Sequence, residues 1–353
     1  MNLKKNIKVF DFFSGCGGTS QGFKQAGLDV VFGLDFDKEA ANTFKLNFPD
    51  AYFINEDISA LQTDTIKDIF DKILKEKESG CYTLFSGCAP CQPFSRQNNK
   101  KTNSDSRRYL LAEFGRFVKA YIPDFIFVEN VPGMQQIKKG YDTPFFSFLE
   151  LLDELGYQYS YGIVSALWFG VPQDRKRLIL LASKHTKISL PAIDNDGVVK
   201  PYSTVRDWIY GLPEISHGQE HPSIPDHKSA SLNELSLLRI QHTPEGGNRL
   251  NWPDYLQLKC HQNHLGHKDV YGRLAWDKPS SVLTTRCTSY SNGRFGHPTQ
   301  NRAISLREAA LLQTFPMDYK FSGNFNSKAR QIGNAVPPLM AEAMGKYVMS
   351  LIS

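Results

Sequence analysis

A doubly wound α/β fold is the architecture this sequence predicts, and three observations predict it. An apolar run near the N-terminus breaks into a glycine-rich turn and then a helical pattern; two further apolar runs end in acidic residues; and a continuous apolar run, Phe125–Val128, delivers Glu129 and Asn130. Strand, glycine turn and helix open a unit of this kind. A run that is apolar at every position belongs to a strand covered on both faces, as the strands of parallel sheets are.

Ile7–Phe13 is short, apolar and rich in β-branched and aromatic residues, and Ser14-Gly15-Cys16-Gly17-Gly18 follows it directly. Thr19–Ala26 then shows helical spacing, with Phe23 and Ala26 as inward positions. Glycines let a backbone approach a ligand closely, and a helix N-terminus offers unpaired N–H groups. The spacing Gly-x-Gly-Gly departs from the Gly-x-Gly-x-x-Gly of dinucleotide sites, which disfavours NAD. Val30–Leu34 reads as a second strand ending at Asp35, an acid placed to hold ribose hydroxyls or to cap the helix beginning near Lys38. Ala51–Ile54 reads as a third strand, after which Asp57 either meets an adenine amino group or caps the turn from Ser59. With no Walker-type phosphate motif beside these strand ends, a nucleoside cofactor without a polyphosphate fits best.

Cys81–Phe85 leads, as a fourth strand, into Ser86-Gly87-Cys88-Ala89-Pro90-Cys91-Gln92-Pro93-Phe94-Ser95. Cys91, set between two prolines, is a candidate nucleophile; with Cys88 it also makes the C-x-x-C spacing of a redox dithiol. The polar, basic segment Arg96–Arg108 reads as a loop able to close over a substrate. All nine histidines lie at or after His185, so a hydrolytic Cys–His pair would have to draw its base from the distal half. Leu110–Tyr121 reads as a helix with Leu110, Leu111, Phe114, Phe117 and Val118 on one side. Phe125–Val128 then brings Glu129 to the same sheet edge as Cys91. A carboxylate at the end of a buried strand is costly unless partnered, so Glu129 is either functional or satisfied by backbone N–H groups.

Phe145–Leu155 reads as a helix stopped by Gly156, and Tyr157–Leu167 has strand character. Gln173-Asp174-Arg175-Lys176-Arg177 precedes the apolar run Leu178–Ala182. Arginines at alternate positions of a strand point the same way, so Arg175 and Arg177 could clamp a phosphate or base oxygen, or form a solvated edge. Beyond Lys184 the texture turns to Pro, His, Asn and Ser, which sets a domain boundary near residues 185–200. Gly293-Arg294-Phe295-Gly296-His297 reads as a flexible basic turn able to enter a groove, or as a plain surface loop. Asn301–Phe315 reads as a helix, and Gln331–Pro338 as the start of the last one, Leu339–Ile352.

Composition narrows the class. A chain of 353 residues makes one large domain or two ordinary ones, and buries a core without disulfides or metal. No apolar run approaches the ~20 residues of a membrane span, and Met1–Lys8 is too short and polar for a signal peptide. Six cysteines in this length point to a reducing, cytosolic setting. Net charge is +5, yet Lys259–Arg307 holds eight Lys/Arg against Asp269 and Asp277, so the excess is local. Such a window suits a polyanionic partner or forms a solvated face.

The ordered set Asp11–Gly18, Gly87–Ser95, Glu129-Asn130-Val131, Gln173–Arg177, Arg302–Pro316 and Gln331–Pro337 resembles the C5-cytosine-specific DNA methyltransferase family over nearly the whole chain. The resemblance implies a Rossmann-like, S-adenosyl-L-methionine-dependent methyltransferase domain with a smaller, irregular target-recognition domain. It assigns residues 1–187 and 328–353 to the catalytic, cofactor-binding domain, with the last helix returning beside the first strand, and residues 188–327 to target recognition.

By the same resemblance Cys91 is the nucleophile that adds to cytosine C6, Glu129 the acid at N3, Arg175 the brace of base and carboxylate, and Arg177 a neighbouring support. Phe13, Gly15 and Gly17 cradle S-adenosyl-L-methionine. Asp35 meets the ribose, where the family usually has the longer Glu; Asp57 meets the adenine, Leu110 adds an apolar contact and Asn334 supports the cofactor side. No metal is expected, since Cys260, His261, His264 and His267 lack a paired C-x-x-C. The implied partner is double-stranded DNA with the target base flipped out. A monomeric, prokaryotic, cytoplasmic and nucleoid-associated enzyme is expected, without membrane contact, without an appended regulatory domain and with a restriction endonuclease acting separately. A tRNA-methylating relative is the nearest rival, but its Cys-Phe-Thr signature is absent from the later half. A silent DNA-binding relative is disfavoured by Cys91, Glu129 and Arg175 standing together.

Overall fold

The computed structural model describes residues 6–75, 81–89, 109–135, 144–191, 202–258 and 269–352. Cys91, the Gln97–Arg108 loop, Lys259, Lys268 and the Cys260–His267 group lie outside the described residues. Seven strands form one sheet: β1 (Asn6–Phe12), β2 (Asp29–Leu34), β3 (Tyr52–Ile54), β4 (Cys81–Gly87), β5 (Phe125–Asn130), β6 (Gln158–Ser165) and β7 (Lys176–Ser183). Their order is β3-β2-β1-β4-β5-β7-β6. The first five are parallel, and β7 runs antiparallel to both β5 and β6. The order reverses between β1 and β4, and a crevice outside the carboxyl ends of strands at such a point is where open α/β sheets bind ligands.

Contacts divide the described residues into two compact units. The first comprises Met1–Ser165, Lys176–Val198 and Pro338–Ser353; the second comprises Ala166–Arg175 and Val199–Pro337. The second therefore takes in Ala166–Arg175 and residues 328–337, which the division by resemblance gives to the catalytic domain. The local reason is hydrogen bonding and close packing. Asp174 N donates to Ser280 O (2.9 Å), Ser280 N donates to Pro172 O (2.8 Å), and a Cβ at Gly333 would stand 2.0 Å from Thr284 O.

In the first unit, α1 (Gly18–Gln25), α2 (Lys38–Asn47), α3 (Lys67–Lys75), α4 (Leu110–Tyr121), α5 (Pro144–Glu154) and α10 (Pro338–Ser350) cover the sheet. The core is aromatic: Phe12 meets Phe85, Phe114 and Phe117 at ring-centroid separations of 5.1, 5.4 and 5.2 Å. The α4 stripe read from the sequence is the buried one, with Leu110 at its partly buried end. Helix α10 returns to pack on α1 through Gly22, where a Cβ would lie 2.2 Å from Pro338 O. Gly156 ends α5 in the left-handed region (φ 72°), its N–H donating to Asp153 O.

The second unit carries short helices, α6 (Val205–Ile209), α7 (Glu234–Gln241), α8 (Leu306–Leu312) and α9 (Phe325–Asn334), on largely irregular chain. The helix expected over Asn301–Phe315 is only the seven residues of α8. Ser305 caps it and Glu308 reaches back to the Ser305 N–H, and Arg302 lies in a bend before the cap, its guanidinium meeting Glu308. Gln331–Asn334 closes α9 instead of opening the last helix, because Ala335 is extended (ψ 146°) ahead of Val336-Pro337, where the residue before proline resists the helical region. Nor is Gly293–His297 a free basic turn. Arg294 donates to Gly246 O and Gly247 O (2.7 and 2.9 Å) and meets Asp269, and His297 is buried.

Candidate active site

Elements of the first unit build the crevice from the glycine turn outward. Phe13, Gly15 and Gly17 all take positive φ (59°, 53° and 89°). That path favours glycine, and Phe13 bears the strain of a side chain in the left-handed region, about 1–2 kcal/mol. Ser14 N donates to Leu34 O (3.0 Å), which ties the turn to the end of β2. A Cβ on Gly15 would project into open space, so the turn leaves room that a ligand can fill.

Asp35 is drawn onto this turn. One carboxylate oxygen accepts from Gly15 N at 2.8 Å and the other from Asp37 N at 2.9 Å. The cap of α2 is Asp37, which accepts from Glu39 N and Ala40 N, so Asp35 is not the helix cap. Each oxygen of Asp35 keeps a further lone pair for a hydroxyl donor. Burial pushes this carboxyl up to about 6, against the pull of the two amides. Phe36, immediately after it, is an exposed aromatic. Sequence reading passed over Phe36, although an aromatic directly behind a strand-end acid was the available signal. Asp57 caps the short turn Ile58–Ala60, accepting from Ser59 N at 2.8 Å. Leu110 opens α4 and packs on the core. Asn334, the last residue of α9, is exposed and belongs to the second unit.

The carboxyl ends of β4 and β5 supply polar groups. Glu129 is buried, and Arg177 of β7 brings its Nε to 2.7 Å from Oε1. Strand pairing accounts for the meeting: Glu129 sits opposite Ile179 in the β5–β7 register, so Arg177, two residues before Ile179, projects from the same face of the sheet. Oε1 takes this close charge contact without an aligned hydrogen bond from the described residues. The cation beside Glu129 is thus Arg177. Arg175 makes its contacts within the second unit, donating to Leu283 O (3.3 Å), Ala335 O (3.2 Å) and Gln173 Oε1.

Asn130 donates from Nδ2 to Ala89 O (3.1 Å) and accepts Val131 N on Oδ1, which tethers the end of β4 two residues before Cys91. Thr19 Oγ1 lies 3.6 Å from Cys88 Sγ. Burial, then the charges of Glu129 and Asp11, push the Cys88 thiol well above the usual range. A thiol held protonated is a poor attacking group, which argues against Cys88 as half of a redox pair. Asp11, within the first apolar run, is fully buried; Ser20 Oγ donates to it at 2.6 Å and burial raises it to about 7. An acid inside an otherwise apolar strand was its sequence signal. No cluster able to hold a metal ion occurs among the described residues.

A parallel sheet in this order, closed by an antiparallel pair and with a glycine turn after β1 where the order reverses, defines a Rossmann-like methyltransferase. The chain belongs to the C-5 cytosine-specific DNA methylase family, whose model matches residues 7–350, and is a DNA (cytosine-5)-methyltransferase. It is 37% identical over 346 residues to the type II methylase M.HgiDII of Herpetosiphon aurantiacus, covering 96% of this chain and 94% of that one. The type II methyltransferase M1.HphI of Haemophilus parahaemolyticus is 30% identical, with 98% and 87% covered. Among solved structures, an E. coli prophage protein assigned as a DNA modification methyltransferase superposes with a TM-score of 0.75 at 25% identity, covering 98% of this chain and 99% of that one.

Proposed function

We propose that the enzyme transfers a methyl group from S-adenosyl-L-methionine to C5 of a cytosine flipped out of a specific duplex sequence, through a covalent adduct between Cys91 and C6. The observation that carries this is the convergence, at one sheet edge, of the Glu129–Arg177 pair (2.7 Å) with the Asn130 tether on the segment that leads to Cys91. The crevice suits the cofactor: the turn at Gly15 leaves space, Asp35 keeps lone pairs for ribose hydroxyls, and Phe36 offers a ring to a purine. When bound, the cofactor supplies an electrophilic methyl group to the activated ring. The chain does the rest. The Cys91 thiolate forms the S–C6 bond, and the electron pair displaced from the C5–C6 bond makes C5 nucleophilic. Glu129 hydrogen-bonds N3 as the ring gains charge, while Arg177 holds the carboxylate in place. Loss of the C5 proton restores the double bond and expels Cys91.

By family resemblance, Arg175 braces the base and Asn334 supports the cofactor, and we assign residues 188–327 to target recognition. The type II names of the two bacterial relatives support a prokaryotic enzyme working beside a separate restriction endonuclease; we propose that it acts as a monomer. No described helix is long and apolar enough to cross a membrane. Labelled S-adenosyl-L-methionine offered with duplex DNA and with tRNA tests the substrate: label on tRNA alone overturns the reading. Cys91→Ser is expected to abolish transfer while cofactor binding, followed by calorimetry, stays near the wild-type value. Methyl transfer by that variant would remove Cys91 as the nucleophile.

A further inference from the structure

We propose that a cleft of the second unit selects a guanine in the substrate duplex, reading N7 and O6 on its major-groove edge through side chains that can only donate. The inference rests on the duplex-DNA reading above. It names a base that the substrate must carry besides the guanine paired with the target cytosine.

The cleft, about 460 Å³, lies wholly within the second unit, and Glu214, His217, Gln219, Leu237, Gln300 and Asn301 are among the residues that line it. Its amide side chains share one property: the protein already occupies the acceptor end of each. Gln219 Oε1 accepts from Ser216 N at 2.7 Å. Gln300 Oε1 accepts from Arg302 Nε at 2.7 Å and from Ile215 N at 3.3 Å. Asn301 Oδ1 accepts from the buried Arg273 guanidinium. An amide nitrogen cannot accept an N–H, so these partners fix which end of each amide is tied to the protein. The three amino groups are left as donors, and no described residue takes them up. His217 follows the same rule. Its Nδ1 accepts from Leu232 N at 3.3 Å, so the ring proton sits on Nε2 as a fourth donor.

Donor-only amides change which base can be read. Asn and Gln ordinarily recognise adenine by giving the amino group to N7 and accepting N6–H on the oxygen. With the oxygens occupied, that pairing is not available to this cleft. Guanine is the base whose major-groove edge sets two acceptors, N7 and O6, side by side, and amide and imidazole donors match both. A phosphate would also accept these donors. Glu214 lines the same cleft, however, and a carboxylate repels phosphate while it can accept N4–H of the cytosine paired with the guanine.

Bisulfite sequencing of a duplex library treated with the enzyme first gives the methylated sequence. 7-Deazaguanine, which lacks N7, then replaces each guanine of that sequence in turn. At one guanine other than the partner of the target cytosine, kcat/KM of wild type is expected to fall roughly ten- to hundredfold. Inosine, which keeps N7 and O6, should be accepted there. Gln219→Glu, Gln300→Glu and Asn301→Asp keep the oxygen that the protein uses and remove the amino donor; His217→Phe removes the ring donor. The variant that has lost the N7 donor should bring the ratio of kcat/KM between guanine and 7-deazaguanine close to one, a change that a merely structural role would not produce. A methylated sequence with no further guanine overturns the proposal, as does 7-deazaguanine accepted at every such guanine, or a ratio unmoved in all four variants. Circular dichroism verifies that the variants fold, and the modified duplexes test wild type without them. Should wild type methylate no duplex, the substrate reading fails; a wild type that methylates duplex DNA but is indifferent to guanine N7 fails this inference alone.

Discussion

At Asp35 two backbone amides hold a carboxylate that is not the helix cap. Backbone N–H groups of Gly15 and Asp37 take one lone pair on each oxygen, and this fixes its orientation toward the crevice. Asp reaches Gly15 N directly; the family's longer Glu would have to fold back to do so. On the proposed ribose contact, removing it would cost the cofactor charge-assisted hydrogen bonds worth about 1.5–3 kcal/mol. Asp35→Ala is therefore expected to weaken S-adenosyl-L-methionine binding roughly ten- to hundredfold. Calorimetric titration checks this, and an unchanged Kd would dismiss Asp35 as a ribose contact. Because burial lifts its carboxyl to about 6, protonation below that pH removes acceptor capacity, and cofactor affinity should decline as pH falls through 6.

Helix α8 is the element on which the second unit depends. Arg302 and Glu308 are both buried and pair through two hydrogen bonds of 2.7 and 2.6 Å. Glu308 also accepts Ser305 N, and the third guanidinium nitrogen of Arg302, Nε, donates to Ile215 O (3.0 Å). The guanidinium holds the Glu308 carboxyl down to about 2 even though burial opposes this. Truncating one member leaves the other charged and buried, which costs about 3–5 kcal/mol. Glu308→Ala should lower the urea midpoint by a matching amount. A shift below about 1 kcal/mol would mean that solvent reaches the pair.

For the whole molecule, the two units should answer pH in opposite directions. His297 in the second unit is pushed down to about 4 by burial, chiefly, and also by neighbouring arginines. Between 4 and its ordinary 6.5 the unfolded chain binds the extra proton, so stability is full above 6.5 and drains as pH falls toward 4, by about 2 kcal/mol at pH 5. His227, also lowered by burial, acts in the same sense. Asp11 in the first unit is raised to about 7, so the folded chain holds the extra proton and its contribution is lost as pH rises from 3.8 to 7. All four tryptophans, Trp168, Trp208, Trp252 and Trp276, lie in the second unit. Tryptophan emission in urea should therefore show a lower midpoint at pH 5 than at pH 7, while far-ultraviolet dichroism, weighted to the helices and sheet of the first unit, shifts the opposite way. A tryptophan midpoint that rises on acidification would contradict the assignment.

The sequence by itself determined the sheet edge. Glycine turn, strand-end acids, the α4 stripe and the motifs that place the chain in its family are local patterns. Periodicity and composition within ten residues encode them, so they were legible. What the tertiary structure decided was the use of charge. Arg273 and Arg302 sat in a window that read as a polyanion-binding face, yet they donate to carbonyls up to 33 and 87 residues away. The irregular chain of the second unit has few strand ladders to satisfy its carbonyls, and buried arginines with five donors each do that work. Likewise, that Arg177 meets Glu129 depends on antiparallel register between strands some 50 residues apart. No local pattern states a register or a distant carbonyl, because each exists only once the chain has folded around it.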